Sequence, residues 1–117
     1  MMEMYEIQNV AQEPGSRKRW FSSTDIQLYV YYRGDSAEIA GFELDFADYD
    51  FFIRYQGGSL KVFGVDHMRL ASDLLTDTNR KITANLVRMF KEASAGLEPQ
   101  VVSYVLPVLA EGLGTKG

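Results

Sequence analysis

The sequence predicts an α+β domain: an antiparallel β-meander of four to six strands with a C-terminal helical hairpin packed on one face. Three observations carry this reading. Polar and apolar residues alternate through the centre of the chain, and turn-forming residues fall at spacings that keep the apolar faces aligned; the last third then changes to apolar spacings of three and four. The 117 residues, 46 % hydrophobic and 13 % aromatic, suit a single domain over residues 1–117, with the sheet at about 5–65 and the helices at about 77–113.

Residues 5–10 and 17–21 flank Glu13-Pro14-Gly15-Ser16. Proline and then glycine at the two central positions suit a type II turn, so a first hairpin is expected there. Ile26, Leu28, Val30 and Tyr32 then share one strand face, and Ala40, Phe42, Leu44 and Phe46 share another. A three-residue loop, Gly34-Asp35-Ser36, sets Leu28 opposite Phe42 and Val30 opposite Ala40. A four-residue loop, Ala47-Asp48-Tyr49-Asp50, sets Phe46 opposite Phe51, Leu44 opposite Ile53 and Phe42 opposite Tyr55. Gly57-Gly58 can take positive φ at both positions, which suits a two-residue turn pairing Ile53 with Val62 and Tyr55 with Leu60.

Beyond Val65, the residues Met68, Leu70, Leu74 and Leu75 fit either a short helix or another strand. Ile82, Leu86, Met89, Phe90 and Ala93 then mark an amphipathic helix, capped by Asp77 or Thr78 and ended by a left-handed Gly96. Pro99 opens a second helix, whose apolar arc runs through Val101, Val102, Val105, Leu106, Val108, Leu109 and Leu113. Pro107 interrupts the second helix on its wetter side and should kink it.

Composition excludes several functions. The absence of cysteine removes disulfides, thiolate nucleophiles and cysteine-ligated metal sites. Sixteen acidic against twelve basic residues give a net charge of −4, which disfavours nucleic acid as a partner. No segment approaches the ~20 apolar residues that span a bilayer, so no membrane association and a cytoplasmic location are expected. The chain carries no phosphate-cradling glycine loop, metal-binding helix motif or nucleophile elbow, so no cofactor and no metal are expected.

The expected register writes the face turned away from the helices as three rows. They are Gln27, Glu43, Arg54 and Lys61; Tyr29, Gly41, Gln56 and Ser59; and Asp25, Asp45, Phe52 and Phe63. Two adjacent carboxylates beside aromatic rings can share a proton or bind a cation, and the only histidine, His67, falls near them. Solvated carboxylates at a sheet margin are the commoner arrangement. Arg17-Lys18-Arg19-Trp20 gathers three cations beside the only tryptophan, a combination able to hold phosphate or stack on a base. A solvated strand end explains it more simply.

Arg19-Trp20-Phe21-Ser22, then 25–30 (DIQLYV) and 38–44 (EIAGFEL), together with the later 90–99 (FKEASAGLEP), resemble a group of small uncharacterised bacterial proteins. Their pattern reads approximately R-W-F-x-x-x-x-D-L-x-V, then I-x-G-F-x-L. The likeness covers most of the chain, with Ile26 where the group has leucine and a divergent middle third. It implies a bacterial intracellular domain and transfers no site residues.

The leading expectation is noncatalytic self-association or protein binding, as a homodimer or with a protein partner, through apolar residues pointing away from the core. These are Tyr29, Tyr31, Ile39, Phe52, Phe63 and Val65, because uncovered apolar patches mark interfaces. The alternative is a small-molecule or metal-dependent site built from Asp25, Asp45 and His67.

Overall fold

The computed structural model describes residues 3–12, 16–34, 36–46, 51–65, 75–77 and 82–113. The strands are β1 (Tyr5–Glu6), β2 (Ser16–Ser22), β3 (Ile26–Arg33), β4 (Ile39–Phe46), β5 (Phe51–Gln56), β6 (Ser59–Val65) and β7 (Leu75–Asp77). They form one sheet in chain order, and each pairs antiparallel with the next. Helices α1 (Ala84–Ala93) and α2 (Pro99–Glu111) follow. The meander and the helical pair are therefore as the sequence predicts. The ambiguous stretch contributes a short strand at Leu75–Asp77; Met68, Leu70 and Leu74 lie outside the described residues, as do Glu13, Pro14 and Gly15 of the first turn.

Alternation explains the core. Ile26, Leu28, Val30, Phe42, Leu44, Phe46 and Ile53 point to one face and are all but fully buried. Leu86, Phe90 and Ala93 of α1 and Val101, Val105 and Leu109 of α2 close over them. Tyr104 of α2 meets Phe42 and Tyr55 edge-on, at centroid distances of 6.3 and 6.1 Å, a favoured aromatic geometry. Met4 is buried as well, and its N–H donates to the Ala93 carbonyl at 2.8 Å, tying the chain start to the end of α1.

The two later hairpins have the expected register. Phe46 faces Phe51, Leu44 faces Ile53 and Phe42 faces Tyr55; Ile53 faces Val62 and Tyr55 faces Leu60. Gly57 and Gly58 have φ of +58° and +79°, the left-handed pair that a tight turn of this twist requires. The loop at 47–50 lies outside the described residues.

The β3–β4 hairpin is displaced by two residues from expectation. Leu28 faces Leu44 and Val30 faces Phe42. The Arg33 N–H donates to the Glu38 carbonyl at 2.9 Å, so the loop holds four residues rather than three. That slip of one would turn every following β4 side chain to the wrong face. A bulge corrects it: Tyr32 faces Ile39, but Tyr31 faces Gly41, leaving Ala40 as the extra residue. Ile39 consequently points inward and is buried at 8 % exposure, which corrects its placement among the outward residues.

Helix α1 is shorter than its apolar spacing suggests. Its N-cap is Thr83, whose hydroxyl accepts from the Leu86 N–H at 3.2 Å; Asp77 belongs to β7, and Thr78 lies outside the described residues. Ile82 is buried, but it bridges Leu113 in parallel instead of extending the helix. The C-cap is Ser94 at φ −90°, and Gly96 is not left-handed. Pro99 occupies the first turn of α2, and Pro107 lies within that helix on its exposed side.

Candidate functional site

The shift between β3 and β4 redraws the face opposite the helices. Tyr5, Ser22, Gln27, Asp45, Phe52 and Phe63 form one cross-strand row. Trp20, Tyr29, Glu43, Arg54 and Lys61 form the next, and Lys18, Tyr31, Gly41, Gln56 and Ser59 the third. Six aromatic residues thus share one face, although they stand on five different strands. Tyr5, at 60 % exposure, projects furthest; Trp20, Tyr29, Tyr31 and Phe63 are half-buried and Phe52 is nearly covered.

Four of these rings pack as two pairs. Trp20 stacks on Tyr29 at 5.6 Å between centroids, and its indole N–H donates to the Gln27 carboxamide oxygen at 2.7 Å. Phe52 and Phe63 are 6.0 Å apart, with the Arg54 guanidinium 5.6 and 5.4 Å from their centroids, within cation–π range. Glu43 holds the centre: it accepts from the Tyr31 hydroxyl at 2.9 Å and from Arg54 Nε at 2.8 Å. Burial, and then the hydrogen bond to Glu43, push the Tyr31 phenol well above its ordinary pKa. Burial, with the charges of Asp45 and Glu43, raises the Tyr29 phenol above its ordinary value.

The proposed carboxylate pair is not a cross-strand pair. Asp45 faces Gln27, and Asp25 precedes β3, because the longer loop and the bulge move β4 by two residues. Asp45 is half-buried, and desolvation raises its carboxyl above the usual range. His67 lies outside the described residues. Among the described residues, no group of three or more His, Asp or Glu side chains is arranged to hold a metal. Val65 pairs with Leu75 in the backbone register.

The basic run divides between faces. Lys18 and Trp20 lie in the outward rows, while Arg17 and Arg19 turn to the helical side. Arg17 lies over the Tyr32 ring at 4.0 Å. Arg19 grips Glu6 through Nε and Nη2 at 2.9 and 2.7 Å and Glu98 through Nη1 and Nη2 at 3.0 and 2.9 Å. Its Nη1 also reaches the Tyr32 hydroxyl at 3.3 Å. One guanidinium therefore ties β1, β3 and the residue before α2 together, and its charge is consumed inside the fold. The pairing holds both Glu6 and Glu98 below the usual carboxylate range.

Sequence reasoning missed Tyr5 and Trp20 as members of the aromatic face. Tyr5 lies beside a turn whose register the pattern leaves open, and Trp20 sits among charged neighbours although alternation alone separates it from Arg19. No described helix is long and apolar enough to cross a membrane. No protein-family model matches the chain, and neither a curated protein nor a solved structure does.

Proposed function

We propose that this protein is a noncatalytic cytoplasmic module that self-associates through the sheet face opposite its helices. The observation carrying this reading is the set of six aromatic side chains spread over three rows of that face, of which Tyr5 is 60 % exposed. Aromatic rings dominate interface cores because they bury much area with little conformational freedom to lose. The central charges, Glu43 and Arg54, are already paired within the chain at 2.8 Å, so this pair adds no net charge to the face.

Light scattering on a size-exclusion column, across a wide concentration range, tests this directly. The wild type should have dimer mass, and Tyr5→Glu should have monomer mass, because Tyr5 is exposed and its replacement leaves the core intact. A wild-type monomer at every concentration overturns the proposal.

A further inference from the structure

We propose that the open cleft beside the Gly57–Gly58 turn binds a small oxyanion, the carboxylate or phosphate group of a metabolite, between Arg54 and Lys61. This site, at the β5–β6 end of the same outward face, goes beyond self-association. The cleft has a volume of about 220 Å³ and is lined, among the described residues, by Arg54, Gln56, Ser59 and Lys61. These are two successive cross-strand pairs, Arg54 with Lys61 and Gln56 with Ser59, on the same face of β5 and β6.

The first pair sets two cations directly opposite each other, an arrangement that destabilises a sheet unless something neutralises it. Glu43 compensates Arg54 at 2.8 Å; among the described residues, Lys61 has no carboxylate partner. Glu43 takes only Nε, and the rings of Phe52 and Phe63 flank the guanidinium. The Nη1 and Nη2 donors remain as a planar fork, held by neighbours before any ligand arrives, and such a fork matches the two oxygens of a carboxylate or phosphate. The Lys61 ammonium, the Gln56 carboxamide and the Ser59 hydroxyl supply further donors around the same space. The tight turn fixes the spacing of the two strands, so little order must be gained on binding.

The experiment is a two-dimensional NMR titration of the full chain with inorganic phosphate and, separately, with acetate, at constant ionic strength balanced by sodium chloride. Saturable shifts at the amides of Arg54, Gln56, Ser59 and Lys61 are expected with at least one anion, and the anion that saturates identifies the source. Lys61→Gln should weaken that binding about tenfold, the equivalent of one charge-assisted hydrogen bond. Lys61 is exposed, so this variant folds. Arg54→Lys should also weaken it, by removing the fork while keeping the charge. The same titration on Tyr5→Glu separates this site from self-association, because binding should persist in a monomer. Shifts that stay linear with both anions, or saturable binding unchanged by Lys61→Gln, overturn the proposal.

Discussion

Trp20 and Tyr29 stack across β2 and β3 with their planes inclined by 22°, and the indole N–H donates to the Gln27 side chain. The stack places the only tryptophan where it reports on the outward face. Gln27→Leu keeps the bulk but removes the acceptor, leaving a half-buried donor unpaired at a cost of about 1–2 kcal/mol. Urea denaturation followed by Trp20 fluorescence should show a lower midpoint with an unchanged slope. An unchanged midpoint would mean that the indole bond contributes nothing.

Arg19 predicts the acid behaviour. Glu6 and Glu98 are held below their ordinary pKa by this guanidinium, so the folded state binds fewer protons than the unfolded state near the carboxylate range. The stabilisation is complete above the unfolded carboxyl pKa, at about 4.3, and is lost as pH falls through the lower folded values. Arg19→Gln should cost about 1–2 kcal/mol at neutral pH, a modest figure because Glu98 is largely solvated. The difference from the wild type should shrink on acidification, as denaturation at a series of pH values would show. A gap that widens towards low pH would contradict the assignment.

Asp45 has the opposite sign. Burial raises its carboxyl, so the folded state favours the proton, and stability falls as pH rises through the interval between its unfolded and folded pKa values. Asp45→Asn removes the charge at nearly constant shape. Its melting temperature should exceed that of the wild type at neutral pH and approach it at the acid end. Equal temperatures throughout would show that the carboxylate is adequately solvated.

Gly41 is expected to tolerate no side chain. A Cβ built there collides with the Tyr55 carbonyl oxygen and lies 3.1 Å from Gln56 Cγ. The first obstacle is backbone in a central strand and cannot rotate away. Gly41→Ala should cost about 1–3 kcal/mol, in the range of overpacked sites, measured as a fall in denaturation midpoint. A neutral result would show that β5 yields at this point.

Much of the fold was legible because alternation and turn chemistry are local. The Gly57–Gly58 turn fixed β5 against β6, and the four residues between Phe46 and Phe51 fixed β4 against β5, since either pairing keeps both apolar faces inward. Gly34 was less decisive. The same apolar faces agree when β4 moves by two residues, so the pattern could not separate the expected pairing from the observed one. The candidate site suffered most from this, because a two-residue slip preserves faces but replaces every neighbour. It removed Asp25 from beside Asp45, brought Gln27 there instead, and moved Tyr29 next to Glu43.

The amino-acid sequence by itself determined the meander, the helical pair and which side of β3, β5 and β6 turns to the core, because side-chain period and turn residues act over a few neighbours. Tertiary structure decided the bulge at Ala40, the burial of Ile39 and the pairing of Arg19 with Glu6 and Glu98. Arg19 and Glu98 are 79 residues apart, and no local pattern records such a contact. It exists because α2 packs across the sheet and brings the residue before its first turn to the middle of β2, where a guanidinium already faces that side.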